Sequence, residues 1–358
     1  MPKRIILTGG GSAGHVTPHL ALLPRLKAEG FEIHYVGTAS GKERELMGGR
    51  DDVSYHVISA GKVRRYFSLQ NFIDPFRVLR GIAQSRRIVK DVRPEVIFSK
   101  GGFVSLPVVL AARNIAPVVT HESDYTPGLA NRVIAKRADK ICVTFEDTLK
   151  HVGPKGVHTG TPIRPELYRG SREEGLRLAG FTGEKPVLLV MGGSQGAAAV
   201  NDAVREALCE LQKNFDVIHL CGDKKTLASI CGPGYAQFEY LSSEMAHVLA
   251  AADIVVSRAG ANSVFELLAL AKPMLLIPLP LEASRGDQIL NAAYFKKKNF
   301  AAVLEQENLN TQTLVQAINE LYAEREGYSA RMAADALSDG TDEVLSVILS
   351  TAEAYKKK

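Results

Sequence analysis

Residues 253–291 read DIVVSRAGANSVFELLALAKPMLLIPLPLEASRGDQILN, and this stretch decides the fold. Its first apolar run, Ile254 to Val256, is rich in β-branched residues and bounded by polar ones, which predicts a buried parallel strand. The small residues 257–263 then lead into an apolar helix predicted over Val264 to Leu270. Because backbone amides and the positive end of the helix dipole face that loop, the pattern indicates a site for an anion such as a phosphate.

The second half of the stretch brings the chain back to the same edge of the sheet. Pro273 ends the predicted helix, and Met274 to Ile277 form the next predicted strand. The loop after that strand carries Asp287 and Gln288. Since the carboxyl ends of parallel strands share one edge, two consecutive strands are predicted to end at a single crevice.

Composition and charge argue against several classes of protein. The chain has 358 residues, 46% of them hydrophobic, which favours two domains with large cores. Its formal net charge of +5 is too small to imply nucleic-acid binding. Cys142, Cys209, Cys221 and Cys231 show no CxxC spacing, so neither a zinc site nor a disulfide scaffold is indicated, and a reducing cytoplasm fits. The first residues enter a strand directly, so we expect no signal peptide, and no apolar run approaches the length of a membrane span.

Alternating strands and helices predict a parallel sheet in each half of the chain. In the first half the predicted strands are Arg4–Thr8, Glu32–Gly37, Val53–Ile58, Glu95–Ser99, Val118–His121 and Lys140–Thr144. In the second half they are Val187–Met191, Val217–Leu220, Phe238–Leu241, Ile254–Val256, Met274–Ile277 and Ala301–Leu304. The proline-containing segment Gly160–Pro165 lies between the two series and predicts a domain boundary.

Each half opens with a strand that runs into a glycine-rich loop. The loops are GGGSAGH at 9–15 and GGSQGA at 192–197. Glycines let the backbone turn tightly and let a ligand come close before a helix begins. Two such loops at corresponding sheet ends predict a ligand held between the domains.

The first loop also matches the dinucleotide-binding pattern GxGxxG through Gly9, Gly11 and Gly14. That type of site requires an acidic residue near the end of the second strand to hold the ribose. Here the strand ends in HYVGT at 34–38, and the nearest acid, Glu32, lies at its beginning. The sequence therefore disfavours a dinucleotide-dependent dehydrogenase.

Six segments, in order through both halves, together resemble the MurG family of glycosyltransferases. They are GGGSAGHVTPHLAL at 9–22, KGGFVSLP at 100–107, HESDYTPGLANR at 121–132, GTPIR at 160–164, MGGSQGA at 191–197 and SRAGANSVFELLALAKPMLLIPLP at 257–280. The resemblance implies an α/β fold of GT-B architecture, with two doubly wound Rossmann-like domains facing a central cleft. It implies an inverting transfer of N-acetylglucosamine from UDP-GlcNAc to the 4-hydroxyl of the muramoyl residue of undecaprenyl-pyrophosphoryl-MurNAc-pentapeptide.

The resemblance also implies a domain plan and a location. Residues 1–160 would bind acceptor and membrane, residues 161–340 would bind UDP-GlcNAc, and residues 341–358 would form a helix that packs back on the first domain. The implied partners are UDP-GlcNAc, the undecaprenyl-pyrophosphoryl acceptor and an anionic membrane surface, with no nucleic acid and no cofactor. The protein would be peripheral on the cytoplasmic face of the cell membrane.

The positions that match the family's donor-binding residues lie mainly in the second half. They are Ser12, Ala13, Gly14, Asp124, Arg164, Ser194, Leu241, Ala261, Asn262, Ser263, Val264, Phe265, Glu266 and Gln288. Their chemistry fits a nucleotide sugar, since hydroxyls and amides bind phosphate, Gln288 can both donate and accept hydrogen bonds, and Arg164 offers a permanent charge.

Simpler explanations compete for several of these residues. Ser263 and Glu266 have the S-x-x-E spacing of a capping box, and on spacing alone the cap is favoured over ribose binding. Arg164 lies between two prolines and fits a surface charge of a linker. Ser194 fits a helix N-cap, and Gln288 on an amphipathic helix commonly faces solvent.

His15 is the candidate general base. Its predicted place at the N-terminal end of a helix disfavours the imidazolium form, and a neutral ring can accept a proton. The alternative is that His15 only packs the glycine loop and positions substrate. The sequence leaves these two roles open.

No metal site is indicated. There is no DxD-type acidic pair near the phosphate loops, and His121-Glu122 fails as HExxH because Tyr125 stands at the second histidine position. Helix N-termini and Arg164 would then stabilise the departing UDP. Asp124 departs from the family pattern, which commonly has asparagine there, and an unpaired carboxylate would repel a pyrophosphate.

A basic stretch predicts the acceptor and membrane surface. Between residues 62 and 93 the basic positions are 62, 64, 65, 77, 80, 86, 87, 90 and 93, against acids at 74 and 91. Asp74-Pro75 is predicted to start a helix that carries Arg77 and Arg80 on one face, an arrangement that also fits an ordinary solvated helix. The residues assigned to acceptor and membrane are Gly101, Gly102, Phe103, Asn131, Phe72, Phe76, Arg77 and Arg80.

Two other functional classes stay open on sequence alone. A UDP-GlcNAc 2-epimerase would use the same donor without a lipid acceptor. A non-catalytic nucleotide-sugar binding protein would bind UDP without turnover. An assay with donor alone distinguishes the first, and a variant of His15 distinguishes the second.

Overall fold

Short runs of β-branched and apolar residues form two parallel sheets. The structure, a computed structural model, describes residues 3–61, 70–193, 196–230, 232–283, 286–335 and 338–357. Within these ranges the strands of the first sheet are β1 Lys3–Thr8, β2 Phe31–Gly37, β3 Ser54–Val57, β4 Val96–Ser99, β5 Val118–Glu122, β6 Lys140–Val143 and β7 Gly156–His158. Those of the second are β8 Val187–Met191, β9 Asp216–Leu220, β10 Tyr235–Phe238, β11 Ile254–Ser257, β12 Met274–Leu276 and β13 Ala301–Val303.

Helices connect the strands as parallel pairing requires. In chain order they are α1 Thr17–Ala28, α2 Lys42–Met47, α3 Gln70–Val92, α4 Gly102–Ala111, α5 Leu129–Arg137, α6 Leu149–Val152, α7 Arg172–Ala179, α8 Ala198–Leu211, α9 Met245–Ala251, α10 Ala261–Ala269, α11 Asp287–Lys297, α12 Thr311–Ala323, α13 Arg325–Ala333 and α14 Thr341–Lys356. None of the helices among the described residues is both long and apolar enough to cross a bilayer.

Strand order reverses at one place in each sheet. The orders are β3-β2-β1-β4-β5-β6-β7 and β10-β9-β8-β11-β12-β13, and neighbouring strands are parallel throughout. The loops after β1 and β4 therefore diverge to opposite faces of the first sheet, and those after β8 and β11 do the same in the second. Such a divergence leaves a crevice at the carboxyl edge, where ligands of open α/β sheets bind.

The predicted fold class is confirmed, with local differences. Most predicted strands match to within a residue or two at their ends, but the strand placed at Phe238–Leu241 is β10, three residues earlier. The reason is tertiary, since β10 takes its register from β9 through the pair Tyr235 and Val217. The strand β7 was not predicted because its three residues carry no apolar alternation.

Two predicted helix starts were wrong. The helix placed at Val264 is α10, which begins at Ala261 because Gly260 is still extended (φ −71°, ψ 131°). The helix expected to start at Asp74-Pro75 is α3, which begins at Gln70. Asp74 is therefore inside the helix and not its cap, and it is buried there in an ion pair with Arg77 at 3.3 Å.

The chain forms two compact units, each with its own core. Residues 1–164 and 339–358 make up the first unit, and residues 165–338 the second. The terminal helix α14 belongs to the first unit, where Val344, Leu345 and Ile348 join the core formed by β1, β2 and β4. In the second unit α8 and α12 cover β8, β9 and β11.

Candidate functional site

In the first unit, the loop after β1 presents the predicted base at the crevice. Ala13, Gly14 and His15 form one turn of 3₁₀ helix that precedes α1, so His15 lies just before the helix and not within it. Ser12 Oγ lies 2.8 Å from His15 Nδ1. When Ser12 accepts the Nδ1 hydrogen, the lone pair is on Nε2, the tautomer that a base requires.

The loop after β4 packs directly against this turn. Gly101 and Gly102 have φ of +83° and +80°, and a Cβ on Gly102 would lie 2.7 Å from Gly10 O and 3.5 Å from His15 Nδ1. A Cβ on Gly101 would lie 2.1 Å from Asn131 Oδ1. Only glycine fits this approach, which brings the predicted residues Gly101, Gly102 and Asn131 together beside His15.

The buried carboxylate of Glu122 holds the glycine turn in place through hydrogen bonds. Asn131 Oδ1 accepts a hydrogen bond from Gly102 N at 3.1 Å, and Asn131 Nδ2 donates to Glu122 Oε2 at 2.7 Å. Glu122 Oε1 accepts from Asp124 N at 3.0 Å. Burial raises the pKa of Glu122 to about 7, and the negative charge of Asp124 acts in the same direction.

Beneath these loops lies a buried lysine, Lys100, which is 1% exposed. Its Nζ lies 2.7 Å from His121 Nδ1 and also hydrogen bonds to Ser123 Oγ. His121 Nε2 lies 2.9 Å from Gly160 O, so Nε2 carries the hydrogen and Nδ1 accepts from the lysine. Burial lowers the pKa of Lys100 to about 8 and that of His121 well below its usual value.

A groove of about 1020 Å³ opens beside the glycine loop. It is lined by residues 38–43, residues 57–60, part of α3, Gly11 and Phe103. The lining from α3 includes Phe76, Arg77 and Arg80, so three residues predicted for acceptor and membrane share one groove with Phe103. The side chain of Phe72 lies outside the described part of the chain, as do residues 62–69 of the predicted basic stretch.

Glu43 closes the groove next to the first glycine loop. It is 1% exposed, and its Oε2 accepts a hydrogen bond from Gly11 N at 3.1 Å. Its Oε1 accepts another from Thr38 Oγ1. Phe103 also packs close to Gly11, where a Cβ would lie 2.4 Å from the ring. Glu43 and Phe103 therefore both restrict the conformation of the loop.

In the second unit, the N-terminus of α10 opens toward the crevice between β8 and β11. Gly260 is the N-cap and supplies no side chain, and the first intrahelical hydrogen bond runs from Val264 N to Gly260 O at 3.1 Å. The amides of Ala261, Asn262 and Ser263 precede that bond and point out of the helix end. The capping-box interpretation of Ser263 and Glu266 is wrong, because Ser263 is the third residue inside the helix.

The residues predicted to bind the donor in the run from Ala261 to Glu266 differ in their burial. Ala261, Val264 and Phe265 are less than 9% exposed and pack in the core, whereas Asn262, Ser263 and Glu266 are half-buried. These three side chains are therefore the more exposed ones of the run, with Oδ1 of Asn262 itself buried. The first three residues of the run also offer backbone amides.

Neighbouring loops are tied to this helix end by amide side chains. Leu279 N donates to Gln288 Oε1 at 3.1 Å, and Asn291 Nδ2 donates to Ala259 O at 3.0 Å. Gln288 is thus half-buried and engaged with backbone, contrary to the solvent-facing alternative. Arg258 donates to Ile277 O at 3.0 Å, which joins the loops after β11 and β12.

The remaining predicted donor residues are dispersed. Leu241 is 8% exposed in the loop after β10, and Ser194 falls outside the described residues. Arg164 is the last residue of the first segment of the first unit. The first unit also contains Ser12, Ala13, Gly14 and Asp124, whereas α10 belongs to the second unit.

Sequence reasoning missed several polar residues that build both sites. These are Glu43, Lys100 and Glu122 in the first unit and Arg258 and Asn291 in the second. Lys100, Glu122 and Arg258 each lie at the end of a buried strand or directly after one, and a charge at such a position is a usable signal. Glu43 has no comparable signal, because α2 brings it to the loop through the tertiary fold.

Comparison with known proteins gives consistent results for both halves. The model of the glycosyltransferase family 28 N-terminal domain matches residues 5–143, and that of the C-terminal domain matches residues 187–344. Two relatives carry the name UDP-N-acetylglucosamine--N-acetylmuramyl-(pentapeptide) pyrophosphoryl-undecaprenol N-acetylglucosamine transferase. The one from Clostridium tetani is 51% identical and covers 97% of this chain and 98% of its own. The one from Lachnospira eligens is 53% identical with the same coverage.

A solved structure supports the fold. The crystal structure of Acinetobacter baumannii MurG superposes with a TM-score of 0.76 and covers 98% of this chain and 100% of its own. At 23% sequence identity this likeness concerns the fold alone.

The glycine turn beside His15 yields a prediction on stability. Gly101→Ala places a Cβ against Asn131, so we expect it to cost about 1–3 kcal/mol for a backbone conformation (φ +83°, ψ −161°) that is essentially restricted to glycine, and about 1–3 kcal/mol more for the contact. Gly30→Ala is the matched control, since Gly30 has φ +81° and open space around it. Urea unfolding of both variants measures the difference, and equal losses would contradict the close packing at Gly101.

Proposed function

This chain belongs to glycosyltransferase family 28, and on that premise we propose that it transfers N-acetylglucosamine from UDP-N-acetylglucosamine to N-acetylmuramyl-(pentapeptide) pyrophosphoryl-undecaprenol. The observation that carries the proposal is the identity of 51% and 53% to transferases of that name over nearly the whole chain. The muramoyl 4-hydroxyl attacks the anomeric carbon, the bond from that carbon to the UDP oxygen breaks, and configuration inverts.

The donor is assigned to the α10 end of the second unit. The amides of Ala261 to Ser263 and the positive end of the helix dipole suit the pyrophosphate of UDP. Glu266 lies one turn further along the same helix, within reach of a ribose once phosphate occupies the helix end. The buried residues Val264 and Phe265 hold the helix in place and contribute only backbone.

Charge on the departing UDP is stabilised by this dipole in the proposed mechanism. The developing negative charge lies at the helix end, where fixed amides need no reorganisation during the reaction. We assign Arg164 as an additional cationic contact and expect the chemistry to need no metal. The sequence supports this expectation because it contains no DxD-type pair near the phosphate loops.

The acceptor is assigned to the groove of the first unit. Arg77 and Arg80 suit its pyrophosphate, and Phe76 and Phe103 suit apolar parts of the lipid. His15 lies beside the same loop and takes the proton of the attacking hydroxyl through Nε2, while Ser12 holds the ring through Nδ1. Asn131 and Gly102 keep the turn against the ring.

The decisive experiment is the transfer of labelled N-acetylglucosamine to a short-chain pyrophosphoryl-muramoyl acceptor. The purified chain is incubated with UDP-GlcNAc with and without acceptor, and products are identified by mass spectrometry and linkage analysis. We expect a disaccharide product only in the presence of acceptor. Epimerised donor without acceptor, or UDP release with no disaccharide, would refute the proposed reaction.

His15→Ala separates the base from a binding role. We expect kcat to fall by about a hundred- to ten-thousandfold, because no group replaces the proton acceptor. The affinity for UDP, measured by calorimetry, should change by less than about threefold, since UDP is assigned to the second unit. His151→Ala, an exposed histidine of α6, is the control. A variant of His15 that keeps a tenth of kcat would contradict the assignment.

We also propose that α3 docks the protein on the cytoplasmic face of an anionic membrane. Phe76 and Leu79 are 72% and 63% exposed, an unusual state for large apolar side chains. Arg77, Arg80 and Arg87 are exposed on the same helix. An exposed apolar pair beside cationic side chains suits the interface of a lipid leaflet.

Charge reversal on α3 tests the docking surface. Arg80→Glu should weaken binding to vesicles containing phosphatidylglycerol by about 30-fold, since each charge contributes about 1 kcal/mol near the surface. Lys297→Glu makes the same change of net charge at an exposed lysine of α11 in the second unit and should have a smaller effect. Co-sedimentation with anionic and zwitterionic vesicles provides the measurement. Equal losses for the two variants would leave net charge, and not this face, as the cause.

A further inference from the structure

The proposed reaction assigns no role to Lys100, the buried lysine of the first unit. We infer that Lys100 is a positioning residue whose ammonium group balances the carboxylates of Glu122 and Asp124 and so holds the two loops that support His15. The inference rests on the proposed function only for its kinetic consequence, because the charge balance itself can be measured without turnover.

The position of Lys100 is unusual for its chemistry. It is 1% exposed at the end of β4, and its N donates to Thr8 O at 2.9 Å, next to the start of the first glycine loop. A Cβ on Gly9 would lie 3.2 Å from Lys100 Cβ. A lysine is rarely buried unless it is paired, so this position requires compensating groups.

The hydrogen-bond partners of the ammonium group are neutral. His121 accepts through Nδ1 because its Nε2 hydrogen is donated to Gly160 O, and Ser123 supplies a hydroxyl. Neutral partners satisfy its donors but do not balance the charge. The hydrogen bond to Ser123 places the ammonium group beside the residues that flank it, Glu122 and Asp124, and their negative charges raise the pKa of Lys100 against the effect of burial.

The same arrangement explains the carboxylate at position 124. Glu122 is 5% exposed, and a second carboxylate two residues away adds like charge to a buried site. The ammonium group of Lys100 offsets that repulsion. An aspartate at this position, where the resemblance leads us to expect asparagine, is thus accommodated by the lysine on the neighbouring strand.

The charge balance is connected to His15 through the scaffold of Glu122. Glu122 binds Asn131, Asn131 binds the amide of Gly102, and Gly102 lies against the imidazole. Loss of the ammonium group removes a positive charge from beside Glu122 and Asp124. The expected response is a shift of the loop at 122–124 and of the glycine turn, and hence of the ring they support.

A double-mutant cycle tests the pairing. Lys100→Met should lower kcat by about 30-fold in the transfer assay, with KM for UDP-GlcNAc changed by less than about twofold. Asp124→Asn alone should lower kcat only a few-fold. In Lys100→Met/Asp124→Asn the excess charge is removed, so we expect recovery to within about threefold of Asp124→Asn. Additive losses in the double variant would overturn the inference.

A control variant separates this role from the general cost of removing a buried lysine. Lys272 is half-buried in the second unit, where Nζ donates to Ala252 O at 2.8 Å and burial lowers its pKa. Lys272→Met should lower the stability of the protein without the kcat loss of Lys100→Met. An equal kcat loss at Lys272 would assign the effect to stability and contradict the inference.

An equilibrium measurement tests the charge pairing even if Lys100→Met does not fold or the unmodified chain shows no transfer. Asp124→Asn keeps Lys100 in place, and ¹³C NMR of labelled lysine side chains reports the pKa of Lys100 in the folded protein. Removal of the negative charge should lower that pKa by about one pH unit. An unchanged pKa would overturn the charge pairing, whereas absence of transfer by the unmodified chain would refute only the proposed function.

Discussion

The reversal of strand order in each sheet is the constraint on which both sites depend. At β1 and β4, and again at β8 and β11, consecutive crossovers pass to opposite faces, so the loops at the carboxyl edge separate. The backbone at such an edge has amides that no strand satisfies, and glycine loops let a ligand reach them. The catalytic candidate and the candidate anion site therefore lie at these edges for a topological reason.

The two units differ in the groups that set the electrostatic environment at these edges. The second unit uses the backbone, with Gly260 leaving the end of α10 without a side-chain cap. Fixed amides suit a ligand whose charge is permanent, such as a pyrophosphate. The first unit instead uses buried ionisable side chains, Lys100, Glu122 and Glu43, whose hydrogen bonds hold the loops in one conformation. Such an arrangement suits a group that must exchange a proton in a defined orientation.

Glycine and polar side chains act together around His15. Gly101 and Gly102 permit a contact that any Cβ would prevent, and Asn131 with Glu122 then restrains the flexible backbone. Neither feature alone would fix this turn. Glycines without these hydrogen bonds would leave the backbone flexible, and residues with a Cβ at positions 101 and 102 would not fit the space. This mutual dependence links β4, β5 and α5 to one short turn of the first loop.

The sequence by itself determined the α/β class, most strands, the two glycine loops and the family resemblance. These features depend on local signals, because β-branched apolar runs form buried strands and glycines mark tight turns. It also placed Ser12, His15, Gly102 and Asn131 in motifs that the structure brings together.

Only the tertiary structure decided the position of β10, the start of α10 and the roles of Lys100, Glu43 and Gln288. The position of β10 and the roles of Glu43 and Lys100 depend on partners distant in sequence, and Gln288 acts across the loop that follows β12. The strand β10 takes its register from β9, Glu43 reaches Gly11 across 32 residues, and Lys100 meets the loop that follows β5. A local pattern carries no record of such partners, because burial and charge compensation arise only when separate elements pack.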